Sequence, residues 1–101
     1  MMIKSADIVY LNKDFTSATI IYFKVLFSVL DLILLKSKGE TPKDHTERFR
    51  MLQKFYPKLY ELLDKYFIIY RNTYSTSIDK ETCDKVKENV KGVIEEYKIQ
   101  V

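Results

Sequence analysis

The sequence predicts an all-α fold, an up-and-down bundle of four to five helices. Three observations lead there. Only two glycines and two prolines punctuate 101 residues, too few for the many turns an all-β chain requires. Apolar residues recur at three- and four-residue spacing along most of the chain, the period of an amphipathic helix. Helix-start residues separate those stretches at Asp14, Asp44 and Asp79, and Gly39 and Pro57 mark two further breaks. The length fits one domain, so residues 1–101 read as a single bundle.

Over residues 3–12, Ile3, Ala6, Val9 and Tyr10 are spaced for a short first helix, with a frayed N-terminus ahead of it. Asn12-Lys13-Asp14 forms a tight break, and the Asp14 carboxylate can cap the next helix. That second helix is expected over about residues 15–36. Apolar side chains from Ile20 to Leu34 occupy nearly all its faces, so it needs neighbours around it or a partner chain. Lys24 and Asp31 lie seven residues apart, hence on one face. Lys36 and Lys38 suit the C-terminal dipole, and Gly39 suits a left-handed stop.

After the Thr41-Pro42-Lys43 loop, Asp44 and Glu47 have the spacing of a capping box. A third helix is expected over residues 46–55, with Phe49 and Leu52 inward. The residue before Pro57 avoids helical geometry, while Pro57 itself suits the first turn of a fourth helix running to about residue 74. Its apolar stripe includes Leu59, Leu63, Phe67, Tyr70 and Tyr74. Asp79 caps the fifth helix, where Cys83, Val86, Val90, Val93 and Tyr97 form a 3–4–3–4 seam.

The net charge is +3, mildly basic and short of a strong nucleic-acid signature. A single cysteine, Cys83, excludes an internal disulfide and a multi-cysteine zinc site, and fits a reducing, cytoplasmic setting. Met1 to Asp7 lack the pattern of a secretory leader. Residues 18–35 are apolar enough to invite a membrane reading. Lys24 and Asp31 would each cost roughly 2.5–3.5 kcal/mol at the centre of a span, so the core helix of a soluble bundle is expected.

The stretch NKDFTSATIIYFKVLFSVLDLILLK, the loop GETPKDHTERF and the later YRNTY together resemble the HEPN domain (higher eukaryotes and prokaryotes nucleotide-binding). The resemblance covers most of residues 5–95 and implies a helical bundle. Many such proteins are metal-independent RNases built on an R-x4-6-H motif. Arg71-Asn72 matches its start, but positions 76, 77 and 78 hold Thr76, Ser77 and Ile78 where the histidine belongs. Without an imidazole there, the group best suited to move a proton near neutral pH is missing. The resemblance therefore implies a non-catalytic or degenerate member. Such a domain works as a homodimer, beside a nucleotidyltransferase partner, or on RNA or a nucleotide.

His45 is the only histidine. It reads as a capping or packing residue at a helix start, and more sharply as a general base beside Arg71. Arg71 and Asn72 read as a polar, dipole-compensating helix exit, or as a phosphate contact through the guanidinium fork. Arg48 belongs to a basic run with Lys43, Arg50, Lys54 and Lys58, a solvated face or a phosphate-binding one. Tyr66, Tyr70 and Tyr74 share one face, as core or interface aromatics do. No metal site, cofactor or membrane partner is expected. Two rival readings remain: a metal-independent RNase using Arg71 with His45 or Tyr74, and a structural bundle without a nucleic-acid role.

Overall fold

The computed structural model describes residues 3–99, and these hold five helices and no strands. They are α1 (Ile3–Leu11), α2 (Phe15–Lys38), α3 (His45–Phe55), α4 (Pro57–Asn72) and α5 (Lys80–Glu96). The fraying expected at the very N-terminus lies outside the described residues.

The breaks follow from local chemistry. The Asp14 carboxylate accepts from the Ser17 amide at 3.1 Å, Asp44 from Glu47 at 2.9 Å and Asp79 from Thr82 at 2.8 Å, each covering a donor that the first helical turn leaves unpaired. The Glu47 side chain reaches back to the Lys43 amide at 3.3 Å, one residue before the position a capping box uses. Gly39 closes α2 at φ +76°, its amide bonded to the Leu35 carbonyl. Pro57 opens α4. That helix ends at Asn72, two residues sooner than its apolar stripe suggested. α2 runs two residues further than expected, its last turn carrying Lys36 and Lys38.

Two helices end in a left-handed turn without glycine. At α1, Lys13 sits at φ +64°, its amide bonded to the Tyr10 carbonyl and the next amide, of Asp14, to that of Val9. At α5, Lys98 sits at φ +53° with the same pair of bonds to Glu95 and from Ile99 to Ile94. Both are Schellman closures with lysine at the left-handed position. A side chain there is strained where glycine is not. Lys13→Gly is expected to stabilise the fold by ~0.5–1 kcal/mol. Urea unfolding checks this, and a loss of stability would show that the Lys13 side chain contributes more than its strain costs.

α2 is the axis of the fold. Tyr22, Phe23, Leu26, Leu30 and Leu34 are fully buried, and they point to several sides of the helix. On one flank α1 and α5 pack along it. Tyr22 donates to Asp7 of α1, Tyr10 of α1 donates to Asp84 of α5, and Lys91 of α5 lies 3.3 Å from Asp7. Near the start of α2, Thr16 Oγ1 accepts from the Ile78 amide at 2.8 Å. On the other flank lie α3 and α4. His45 meets Phe67 while Phe49, one turn on, also reaches back to Tyr60, so these two helices form an antiparallel hairpin linked by Tyr56 alone.

One connection departs from strict alternation. Phe27, Asp31 and Lys38 of α2 meet His45, Arg48 and Phe55 of α3 in that order. α3 therefore runs parallel to α2, and residues 39–44 carry the chain back along α2 before α3 begins.

The apolar character of α2 is accounted for within one chain. Its length and mean hydropathy of 2.1 are those of a membrane-crossing helix, but 61% of that apolar window is buried inside the fold. Lys24, Ser28 and Leu35 are among its exposed residues. The two ionisable groups expected on one face have separate fates: Lys24 reaches solvent, while Asp31 pairs with Arg48. The apolar faces of α2 thus give no independent ground for a second copy of the chain.

Candidate functional site

Two neighbouring arrangements on the α3–α4 side hold the residues singled out from the sequence. The first is internal. Arg48 on α3 is 8% exposed. Its Nε and Nη2 donate to the two Asp31 oxygens at 2.7 and 2.9 Å, the bidentate fork that suits a carboxylate. Its Nη1 lies 2.6 Å from His45 Nδ1, and its guanidinium carbon stands 4.9 Å from the centre of the Phe27 ring. Three polar contacts and an aromatic face occupy this guanidinium inside the fold.

His45 is the first residue of α3. Its ring is packed by Phe27, Phe67 and Tyr70, with centroids 4.7, 5.2 and 5.9 Å away. Burial and the adjacent Arg48 charge push its pKa below the usual 6.5. Arg48 has only protons to offer, so a neutral His45 accepts through Nδ1. Beside it, the Tyr70 hydroxyl lies 2.9 Å from that of Tyr74. That bond and burial push the Tyr70 pKa up to about 12. Tyr74 itself is 74% exposed.

The second arrangement is a groove of about 480 Å³ between α3 and α4. Half-buried Phe49, Tyr60 and Phe67 supply its aromatic part, and exposed Arg50, Asp64 and Arg71 supply its charges. On α4, Tyr60, Asp64, Phe67 and Arg71 follow at 4–3–4 spacing, which puts them on one helix face. The antiparallel hairpin sets Arg71 at the Thr46 end of the groove and Tyr60 towards the Gln53 end. Phe49 stands edge-on to Phe67 at 5.1 Å and to Tyr60 at 6.0 Å.

The charges of this groove are only loosely held. Arg50 makes one ion pair, 3.5 Å from Glu47, with its side chain 74% exposed. Such a pair contributes ~0–1 kcal/mol and competes weakly with a ligand. Arg71 and Asp64 have no ion-pair partner among the described residues. The groove is open to solvent along its length, with a few polar groups over aromatic walls.

Of the residues expected from the sequence, Arg71 lines this groove. His45 is not among its lining residues, although Phe67 separates the two features by a single ring. Asn72 is exposed and outside the lining, with its carbonyl accepting from Ser75 and Thr76. Arg48 is enclosed by Asp31, His45 and Phe27. The sequence reading placed Arg50 only within a basic run and did not single out Asp64. The 4–3–4 spacing of Tyr60, Asp64, Phe67 and Arg71 was the available signal. Among the described residues, no three histidine, cysteine, aspartate or glutamate side chains gather as a metal ion would need.

In comparisons with known proteins, no family model, no curated protein and no solved structure matches this chain.

Proposed function

We propose that this protein is a non-catalytic, HEPN-like helical domain that binds a nucleotide or a single-stranded RNA segment in the α3–α4 groove. The observation that carries the reading is the placement of Arg50 and Arg71, from adjacent helices, on one groove with aromatic walls. Guanidinium forks suit phosphate oxygens, and aromatic rings offer a base something to stack on. The proposal rests on this groove, whether or not the chain associates with a second copy or with a nucleotidyltransferase.

The rival reading as an RNase needs an acid and a base at the same place. His45 lies outside the groove, and its Nδ1 is engaged by Arg48. Tyr74 shares its hydroxyl with Tyr70. Both groups are thus engaged with other side chains, which favours binding over cleavage.

The test uses a short fluorescent single-stranded RNA and anisotropy without added metal. Binding is expected to weaken as salt rises. Arg71→Ala and Arg50→Ala should each weaken it ~5- to 20-fold, as loss of a charge-assisted contact does. Binding indifferent to both variants would remove the groove from the account. Cleavage of the RNA that disappears in Arg71→Ala would replace this reading with the enzymatic one.

A further inference from the structure

We infer that Asp64 makes the α3–α4 groove selective for the base it receives, favouring guanine and disfavouring uracil. The inference rests on the nucleotide-binding reading given above and adds the chemical class of base to it.

A carboxylate in a groove built for phosphates needs a reason. Asp64 is exposed on the same α4 face as Arg71, seven residues before it, so the two stand about two turns apart. At ~1.5 Å per residue this is ~10 Å along the helix, and no ion pair joins the two side chains. No ion pair holds Asp64 elsewhere among the described residues. Arg50, the other cation of the groove, leans to Glu47, one turn nearer the Thr46 end, so the groove has polarity along its length: cationic at Arg71 and Arg50, anionic at Asp64, with Phe67 and Ile68 between Asp64 and Arg71 in sequence. A phosphate is drawn to the first position and repelled from the second. What Asp64 can accept is an N–H donor.

An ionised carboxylate only accepts hydrogen bonds, through two oxygens. Guanine presents two parallel donors on its Watson–Crick edge, the ring N1–H and the exocyclic amino group, and matches both oxygens. Adenine and cytosine offer one amino group beside a ring acceptor. Uracil offers one N–H flanked by two carbonyl oxygens, whose lone pairs face the carboxylate. Donor count puts guanine first, and the two carbonyl oxygens flanking its one N–H put uracil last. The ring edges of Phe49 and Phe67 tolerate any base, since every base has a π-face, so they do not alter that order.

The experiment compares two labelled heptanucleotides, one all uracil and one with a single central guanine, against the full-length protein by anisotropy. The guanine-containing strand is expected to bind ~10-fold tighter, the scale of one bidentate base contact. In Asp64→Asn, which is exposed and leaves the core untouched, the ratio should fall to within ~2-fold, by weakening of the guanine strand and strengthening of the uracil strand. Arg71→Ala should weaken both strands alike. Equal affinity for the two strands in the unmodified protein would overturn the selectivity while leaving the groove reading standing. An unchanged ratio in Asp64→Asn would overturn the role given to this residue. Binding of neither strand would overturn both inferences together.

Discussion

Asp31→Ala is expected to destabilise the fold by ~2–4 kcal/mol, a large share of the roughly 5–15 kcal/mol that holds a domain together. The cause is what remains. Arg48, with its side chain 9% exposed, would keep its charge and lose both carboxylate oxygens. Breaking a buried pair from one side typically costs ~3–5 kcal/mol. The lower figure here reflects the 26% exposure of the Asp31 side chain and the surviving contact to His45. The double variant Asp31→Leu, Arg48→Met should recover most of the loss, because an apolar pair of similar volume needs no desolvated charge. Urea unfolding of the unmodified chain, Asp31→Leu, Arg48→Met and the double variant gives the coupling directly, with Asp31→Ala measured beside them. A loss below ~0.5 kcal/mol for Asp31→Ala would mean the pair behaves as a screened surface contact.

The second large effect is expected at Phe27. Its ring is met by Phe23 at 6.1 Å, Phe67 at 6.2 Å, Tyr70 at 5.1 Å and His45 at 4.7 Å, with Arg48 over its face. Among the described residues it is the one α2 ring in aromatic contact with both α3 and α4. Phe27→Ala should cost ~3–5 kcal/mol, the range for deleting a buried aromatic side chain. Phe27→Leu refills part of the space and should recover about half of that, since it keeps the burial and loses the ring geometry. An alanine variant losing less than ~1.5 kcal/mol would show that the hairpin settles onto α2 without this ring.

Much of the fold was legible because single residues dictate helix ends. Asp14, Asp44 and Asp79 each had a free carboxylate three residues before an unpaired amide, Gly39 could turn left-handed and Pro57 could only begin a helix. The break at Asn12-Lys13-Asp14 was read but not its left-handed turn, and the end at Lys98 was hidden, for the complementary reason. Lysine carries no preference for the left-handed region, and at Lys98 the turn carries the next residue, Ile99, into a buried position. The parallel course of α3 was also illegible, because a six-residue loop can run onward or back, and contacts some seventeen residues apart decide which.

The site was legible in one half. Arg71 stood out from its position in the resemblance. Arg48 looked equally available, since a basic run on a helix reads as a solvated face. The clue to its burial was Asp31, a carboxylate on an otherwise apolar helix that must find a cation. Lys24 was nearer in sequence, but α2 turns it to solvent. The base that sequence reasoning set beside Arg71 sits one ring away, because His45 was drawn into the contact with Arg48.

Every lining residue of the groove falls between Thr46 and Arg71, in one hairpin. The other three helices supply a support for that hairpin and no part of its surface. Hydrogen exchange is therefore expected to report two cooperative layers, with α1, α2 and α5 opening together and the α3–α4 hairpin lifting from α2 at lower free energy. Because the groove travels with the hairpin, such lifting would leave it assembled. The stability of the scaffold and the shape of the site can then drift independently, and substitutions tolerated in α1 or α5 would accumulate without retuning what the groove accepts.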